Sequence, residues 1–301
     1  MMPRPHTFTV VLLALLAGPG VAQERKNYPL HPMTTADADV PRGEVTEHRF
    51  ESTGVYPGTV RRYSVYVPSQ YRRGTPAALM VFTDGHSFAG PGGKYRVPKV
   101  FDQLIAAGHL PVTVAVMVDP GNRGPLPDER GWNKGTNNRS REYDTVSDEY
   151  ARFLIEELLP AAEAEAGVTL TDNPDLRGMG GDSSGGICSF GVAWHRPDSF
   201  RRVMSHIGSF VNINGGHNYE ALVRKGDKRP LRMYQYECKD DLNNEHGNWP
   251  LANLELRSSL EFREYDLKFV MGDGVHVNND SGKYFPDAIR WLWQGWEDHQ
   301  L

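Results

Sequence analysis

The sequence predicts an α/β domain whose mostly parallel central sheet is covered by helices on both faces. Strand-like apolar runs alternate with helix-like segments from residue 77 onwards, and such alternation implies parallel strands joined by crossover helices. Residues 77–83 are apolar almost without interruption, which is typical of a strand buried on both faces. The 301 residues, of which 39% are hydrophobic and 24% charged, suffice for a sizeable core.

Three segments follow one another along the chain. Residues 1–22 pair Arg4 with an apolar run at 8–17 and end in small residues, a pattern that indicates a cleavable signal peptide and a secreted or periplasmic protein. The apolar run is too short to cross a bilayer, so stable membrane insertion is not expected. Residues 23–42 are polar and contain several prolines, which favours an extended arm. Residues 43–301 show no break in composition and are predicted to form one domain.

The elements of that domain begin with two strands, 43–52 and 59–68, whose mixed apolar and charged residues favour an antiparallel hairpin at the edge of the sheet. After the strand at 77–83, the predicted strands are 112–118, 176–179, 202–206, 231–236 and 267–271. The predicted helices are 98–107, 145–166, one that ends before Pro197, 219–224, 250–262 and 286–293. Pro286 is expected in the first turn of the last helix.

Composition excludes several classes of partner. The formal net charge is −5, and no basic stripe is present that would follow phosphates, so nucleic acid is not an expected partner. No pair of histidines has metal-ligand spacing with a third ligand nearby, so neither a metal nor another cofactor is expected. The two cysteines, Cys188 and Cys238, are predicted to be buried free thiols rather than a disulfide.

The glycine-rich string at residues 180–186 (GGDSSGG) is the first candidate for chemistry. It places Ser183 between Gly181 and Gly185 in a Gly-x-Ser-x-Gly pattern, after a predicted strand and before a predicted helix. A strand that turns at once into a helix strains the turning residue and requires neighbours without side chains. A flexible or phosphate-binding loop is the alternative interpretation of the same string.

An acid and a histidine follow at the ends of two later strands. Asp240 and Asp241 follow the strand at 231–236, and His276 follows the strand at 267–271. The order Ser, Asp, His is that of the α/β-hydrolase triad. A serine hydroxyl needs a histidine to take its proton, and the histidine needs a carboxylate to fix its tautomer. The pattern therefore predicts Ser183 as nucleophile and His276 as base, with Asp240 or Asp241 as acid.

Acyl transfer also needs donors for the developing oxyanion. Ser184 opens the helix after the nucleophile and is predicted to supply one backbone N–H. The loop after the strand at 77–83 is predicted to supply the second, with Gly85 allowing close approach and His86 presenting its N–H. An ordinary turn is the alternative interpretation of this loop.

These residues resemble the enterochelin esterase-like group of secreted bacterial α/β-hydrolases, which is related to esterase D and the feruloyl esterases. The resemblance covers nearly the whole chain after residue 22. It rests on the strings 82–85 (FTDG), 138–144 (NRSREYD), 181–188 (GDSSGGIC), 205–210 (SHIGSF) and 243–253 (NNEHGNWPLAN). The resemblance implies the α/β-hydrolase fold for the catalytic domain, and it selects Asp241 rather than Asp240 as the triad acid.

Four further residues are candidates for substrate binding. By the resemblance, Arg139 and Glu142 lie beside the active site, where they would grip a polar acyl or alcohol group; a surface salt bridge of small energetic weight is the alternative. His246 and Trp249 follow the acid and would form a wall that stacks on a sugar or aromatic ring, or else anchor a loop. The chain departs from the resemblance at Glu237-Cys238, where relatives more often have Asp-Gly.

The sequence thus predicts a secreted serine esterase that cleaves a carboxylic ester through an acyl-enzyme. The expected substrate is a small-molecule or carbohydrate ester, such as a siderophore or an acylated carbohydrate. Two alternatives stay open: an acyltransferase that uses the same triad, and a non-catalytic ligand-binding protein on the same fold.

Overall fold

The computed structural model describes residues 26–35, 39–131 and 134–299. Across these three ranges, no helix has both the length and the apolar composition needed to span a bilayer. The predicted signal peptide lies outside the described residues. The described part of the predicted arm contains the helix α1 (Pro32–Thr35), whose backbone carbonyls accept hydrogen bonds from Arg96, Lys99 and Gln103.

The strands of the described residues are β1 Glu44–Ser52, β2 Thr59–Val67, β3 Pro76–Thr83, β4 Thr113–Val118, β5 Asn122–Arg123, β6 Thr169–Leu170, β7 Arg177–Asp182, β8 Arg202–His206, β9 Arg232–Cys238, β10 Asn243–Asn244, β11 Gly247–Asn248, β12 Asp266–Gly272, β13 Gly274–Val275 and β14 Asn278–Asn279. Eight of them form one continuous sheet in the order β1-β2-β4-β3-β7-β8-β9-β12. Two of the short strands extend this sheet, because β5 pairs with β2 and β6 pairs with β3.

The direction of the strands divides the sheet into two parts. β1 pairs with β2 and β2 with β4 in antiparallel fashion, whereas all pairs from β4 through β12 are parallel. The predicted α/β-hydrolase sheet with an antiparallel N-terminal edge is therefore confirmed. Because the carboxyl ends of parallel strands lie along one edge, the loops after β7, β9 and β12 meet there.

Helices cover both faces of the sheet. They are α1, α2 His86–Ala89, α3 Val97–Ala106, α4 Arg139–Tyr143, α5 Glu149–Arg152, α6 Leu159–Ala166, α7 Ser184–His195, α8 Tyr219–Lys225, α9 Trp249–Phe262 and α10 Ser281–Leu292. Short 3₁₀ turns lie at Pro174–Leu176, Gly216–Asn218 and Trp296–Asp298. The strand β3 shows the two faces: Leu79 and Val81 join one apolar cluster with Phe190 of α7, and Phe82 joins the other with Phe285 of α10.

Two predicted helices differ in the structure. The helix predicted at 145–166 is interrupted by a π-helical turn, Phe153–Leu158, between α5 and α6. Pro160 follows this turn and supplies no N–H for a helical hydrogen bond, which accounts for the irregularity. The prediction that Pro286 lies in a first turn is wrong, because α10 begins at Ser281 and Pro286 lies inside it. The cysteine prediction is confirmed: Cys188 and Cys238 are buried and unbridged.

Candidate active site

The segment around Ser183 forms a sharp turn between β7 and α7. Ser183 has φ 58° and ψ −122°, a strained conformation for a residue with a side chain. A Cβ added to Gly181 would lie 2.1 Å from Thr83 Oγ1, and one added to Gly185 would lie 2.3 Å from the same atom. The two glycines are thus required by the close approach of β3, as the steric interpretation of the string predicts.

The structure brings Ser183, Asp241 and His276 together at the carboxyl ends of β7, β9 and β12. Ser183 Oγ lies 2.8 Å from His276 Nε2, and His276 Nδ1 lies 2.6 Å from Asp241 Oδ1. His276 stands at the turn of the β13–β14 hairpin, in which Val275 pairs with Asn278. The neighbouring Asp240 is exposed, so Asp241 is the carboxylate that meets the histidine.

Asp241 is held in an ionised state by its partners. Burial by itself would raise the pKa of this carboxyl group, but hydrogen bonds with His276 and Glu237 outweigh burial and lower the pKa below its usual value. The backbone N–H of Leu242 also donates to Asp241 Oδ1, at 2.5 Å. The carboxylate can therefore hold the Nδ1–H of His276 and leave Nε2 free to accept a proton from Ser183.

Ser209 is a polar neighbour of the nucleophile that the sequence did not reveal as such. Its Oγ lies 3.2 Å from Ser183 Oγ and accepts a hydrogen bond from Trp249 Nε1 at 3.3 Å. Trp249 also meets the His276 ring edge to face, with centroids 5.8 Å apart. The sequence signal for Ser209 was its place in the string 205–210, which is one of those that carry the resemblance.

Trp249 does not form the stacking wall that the sequence suggested. Its side chain is buried, with 2% of its surface exposed, and no ring of a substrate could lie on it. The alternative of a loop anchor describes it better, because Trp249 begins α9 and contacts Ser209 and His276. His246 is different: its side chain is 43% exposed, and its role in substrate binding stays a prediction.

The predicted oxyanion donor from the β3–α2 loop, the N–H of His86, needs correction. Gly85 does allow a close approach, but to the neighbouring strand β4, where a Cβ on it would lie 2.2 Å from Met117 C. The backbone N–H of Gly85 donates to Val118 O at 3.0 Å, and that of His86 donates to Asp119 Oδ1 at 2.9 Å. Both groups therefore have acceptors within the protein. Ser184 differs from them, because it is the first residue of α7, where backbone N–H groups have no acceptor inside the helix.

Arg139 and Glu142 take part in two separate ion pairs. Glu142 is fully buried and binds Arg61 through two hydrogen bonds, of 2.7 and 3.1 Å, so the prediction that it contacts substrate is wrong. Arg139 binds Asp84, with its Nη2 2.6 Å from Asp84 Oδ2, and keeps 14% of its side-chain surface exposed. A contact between Arg139 and substrate stays a prediction.

A second buried network fixes the residue before the nucleophile. Tyr95 donates its hydroxyl to Asp182, 2.7 Å from each carboxylate oxygen, and lies 3.2 Å from His206 Nδ1. Burial would raise the pKa of Asp182, but Lys94 and His206 outweigh burial and lower it. Tyr95 and Lys94 lie in a glycine-rich loop far away in the sequence, where no pattern pointed to this contact.

Two cavities lie near these residues. One, of about 330 Å³, is lined by Phe210, Val211, His217, His246 and Leu256 among others, and Phe210 adjoins Ser209 in the chain. A larger cavity of about 910 Å³ is lined by residues that include His86 and Arg130. None of the three triad candidates lines either cavity. The smaller cavity is linked to Ser183 only through Phe210, which follows Ser209, whose hydroxyl lies beside Ser183 Oγ.

The described residues contain one group with the composition of a metal site. Ligand atoms of Glu237, Cys238 and Asp241 lie within 4.8 Å of one another. Burial is the main factor that raises the pKa of the Cys238 thiol, which opposes the thiolate that metals require. The arrangement thus fits two carboxyl groups and a neutral thiol better than a cation site.

Residues 55–234 match the family model described as "Putative esterase". This match covers more than half of the chain, so the chain belongs to this family and is a carboxylic ester hydrolase by class. Among curated proteins, the uncharacterized protein YbbA of Bacillus subtilis (strain 168) is 22% identical over 258 residues, which are 84% of this chain and 97% of YbbA.

Solved structures of two kinds of esterase share the fold. The enterobactin esterase FES of Shigella flexneri, in the presence of enterobactin, has a TM-score of 0.67 at 21% identity over 88% of this chain. The feruloyl esterase module of Clostridium thermocellum, complexed with sinapinate, has a TM-score of 0.60 at 14% identity over 92% of this chain and 97% of its own. This chain spans only 63% of the enterobactin esterase. These neighbours and the family match confirm the resemblance to the enterochelin esterase-like group.

Proposed function

We propose that this protein is a secreted serine esterase that cleaves a carboxylic ester through an acyl-enzyme, with Ser183, His276 and Asp241 as its triad. The observation that carries the proposal is the unbroken series of contacts from Ser183 Oγ to His276 Nε2 and from His276 Nδ1 to Asp241 Oδ1. The strained turn at Ser183 supports the assignment, because it exposes the hydroxyl at the start of α7.

In the proposed reaction, Ser183 Oγ attacks the ester carbonyl carbon while His276 Nε2 takes the hydroxyl proton. Asp241 stabilises the imidazolium that results and keeps its Nδ1–H in place. The tetrahedral intermediate then collapses, and His276 returns the proton to the leaving alcohol oxygen. A water molecule then attacks the carbonyl carbon of the acyl-enzyme while His276 takes its proton. Collapse of this second intermediate releases the acid, and His276 returns the proton to Ser183 Oγ.

The negative charge of the intermediate requires a donor at the turn. The N–H of Ser184 is the candidate, since it is adjacent to the nucleophile and lies at the N-terminus of the 12-residue helix α7. The helix dipole favours negative charge at this end.

The proposed substrate is a siderophore ester or an acylated carbohydrate. One observation supports this class: the similar structures are named for enterobactin and for feruloyl esters. Export after removal of residues 1–22 is part of the proposal.

A labelling experiment tests the proposed nucleophile. The purified protein is incubated with a fluorophosphonate probe, and the labelled peptide is mapped by mass spectrometry. We expect the label on Ser183, its loss in Ser183→Ala, and its retention in Ser184→Ala. Absence of both labelling and hydrolysis of p-nitrophenyl acetate in the wild type would disprove the enzyme proposal.

Substrate and export are tested separately. Hydrolysis of enterobactin, feruloyl esters and acetylated sugars is followed by chromatography of the released acid. If p-nitrophenyl acetate is cleaved and none of these is, the substrate class is wrong while the esterase assignment stands. Mass spectrometry of protein recovered from the periplasm or medium should show Gln23 as the first residue.

A further inference from the structure

Glu237 is a fully buried carboxyl group directly behind the proposed triad. It lies near the end of β9, four residues before Asp241, and none of its surface is exposed. An ionised carboxylate at such a place needs a positive partner. In the ranges that the structure describes, no lysine or arginine forms an ion pair with Glu237 or Asp241.

The hydrogen bonds of the two carboxyl groups leave one oxygen of each group without a protein donor. Glu237 Oε1 accepts the N–H of Cys238 at 2.8 Å, and Asp241 Oδ1 accepts from His276 and Leu242. Glu237 Oε2 and Asp241 Oδ2 are both buried and accept no hydrogen bond from any of the described residues. One carboxyl oxygen of each residue lies within 4.8 Å of one of the other, so the two carboxyl groups are close enough for a proton on one to be directed at the other.

The other groups around Glu237 do not supply this proton. The neighbouring strand β12 presents Met271 opposite Glu237, and helix α9 meets β9 two residues earlier, where the Gln235 amide donates to Asn253 Oδ1. The titratable groups that act on Glu237 are Asp241 and the Cys238 thiol. Lys94 acts on Cys238, and His276 reaches the pair only through Asp241.

We propose that Glu237 is protonated at neutral pH and donates its Oε2 proton to Asp241 Oδ2, which makes it a positioning residue for the triad acid. This inference rests on the proposed triad. The pair then carries a single negative charge, located on Asp241 and directed at His276.

The electrostatics agree with this assignment. Burial first, and the adjacent Asp241 second, raise the pKa of Glu237 well above its usual range, since two close carboxylates in a buried site do not both ionise. If the donor is removed, Asp241 becomes more basic and stabilises the imidazolium of His276 more strongly. The acid limb of the pH profile would then move to higher pH.

Three variants test the inference through pH profiles of kcat/KM on p-nitrophenyl acetate. Glu237→Gln retains a donor toward Asp241, and we expect kcat/KM within about threefold of wild type and an unshifted acid limb. Glu237→Leu removes the donor, and we expect a loss of about tenfold to a hundredfold with the acid limb moved to higher pH. Glu44→Gln, the same substitution at an exposed residue of β1, is the control and should match wild type.

Several outcomes would overturn the inference. An acid limb that moves to lower pH in Glu237→Gln would mean that Glu237 is ionised in the wild type. Equal loss in Glu237→Gln and Glu237→Leu would show that the donor is irrelevant. Loss of wild-type activity with EDTA, restored by a divalent cation, would mean that a metal joins the carboxyl groups.

An infrared measurement separates this inference from the proposed function. At neutral pH the wild type should show the carbonyl band of a protonated carboxyl group, and Glu237→Gln should lack it. This readout needs no activity, so a wild type that is inert toward esters but shows the band contradicts the triad function alone. Absence of the band in the wild type contradicts the inference alone. Thermal unfolding of Glu237→Leu checks that the variant is folded.

Discussion

Two buried carboxyl groups in this protein, those of Glu142 and Asp241, differ in the charge of their partners. Glu142 meets a fixed positive charge, the guanidinium of Arg61, through two hydrogen bonds. Asp241 meets His276 on one side and Glu237 on the other, and neither partner carries a permanent charge. The Arg61 guanidinium also lies over the ring of Phe153, 4.0 Å from its centroid, which further fixes the first site.

The two sites differ in whether a proton can be exchanged near neutral pH. In the first, the ion pair raises the pKa of Arg61 against the opposing effect of burial, so no proton is exchanged near neutral pH. In the second, protons lie between Asp241 and both of its neighbours, and a small change in basicity alters the chemistry of His276. We infer that the first site stabilises the fold and the second governs reactivity.

The largest expected effect comes from Asp241→Asn. The amide keeps the shape of the side chain but no longer fixes the tautomer of His276 or stabilises its imidazolium. We expect kcat on p-nitrophenyl acetate to fall by about 10³ to 10⁴-fold, as for other triads. Circular dichroism should show an unchanged fold.

Glu142→Gln is the matched comparison for that loss. Activity per folded molecule should remain near wild type, since Glu142 does not contact the triad candidates. A loss of kcat in Glu142→Gln as large as that in Asp241→Asn would show that the two sites do not divide stability from reactivity.

The second prediction concerns stability at the buried ion pair. Glu142→Leu leaves the Arg61 guanidinium buried without its carboxylate, and we expect the free energy of unfolding to fall by about 3–5 kcal/mol. Urea unfolding measures the change.

The double variant Arg61→Met with Glu142→Leu completes this test. Because no charge is then left buried, it should recover a large part of the loss. If the double variant is less stable than Glu142→Leu, Arg61 stabilises the fold through contacts other than the ion pair.

Much of the fold could be predicted because its signals are local. The apolar run of β3 and the alternation of strands and helices indicated the parallel sheet, and the glycines around Ser183 indicated the turn. His276 and Asp241 could be found because parallel strands end at one edge of the sheet. The choice of Asp241 over Asp240 came from the resemblance rather than from the pattern.

The remaining features depend on contacts between distant residues. The sequence does not show that Arg61, on β2, meets Glu142, so Glu142 was assigned to substrate. Nor does it show that Asp119 accepts a hydrogen bond from the backbone N–H of His86. Because of this bond, the N–H that was predicted to be an oxyanion donor already has an acceptor. Glu237 was noticed as a departure from the resemblance, but its function depends on burial, which a single sequence does not reveal.

The third prediction concerns the pH dependence of stability. Burial and Asp241 raise the pKa of Glu237 well above its usual value, which is about 4.3 in an unfolded chain. A raised pKa means that the folded state holds the proton more tightly. The stability that Glu237 contributes is therefore full below about pH 4.3 and is lost progressively as the pH rises above that value, by at most about 1.4 kcal/mol per pH unit.

Glu237→Gln lacks this titration and serves as its reference. The difference in free energy of unfolding, wild type minus variant, should fall steadily between pH 5 and pH 9 in urea titrations. Glu44→Gln should show no such slope. A constant difference for Glu237→Gln would mean that Glu237 has the same pKa in the folded and unfolded chain.

The smallest expected effect is that of Asp240→Asn. It removes a negative charge from the residue next to Asp241, but Asp240 is exposed and its field at His276 is screened by water and salt. We therefore expect kcat/KM within about twofold of wild type, and no shift of the acid limb at physiological ionic strength. Because Asp240 and Asp241 are adjacent, a loss comparable to that in Asp241→Asn would contradict the assignment of Asp241 as the triad acid. It would then also contradict the contrast between Glu142, which is paired with a fixed charge, and Asp241, which shares protons with its neighbours.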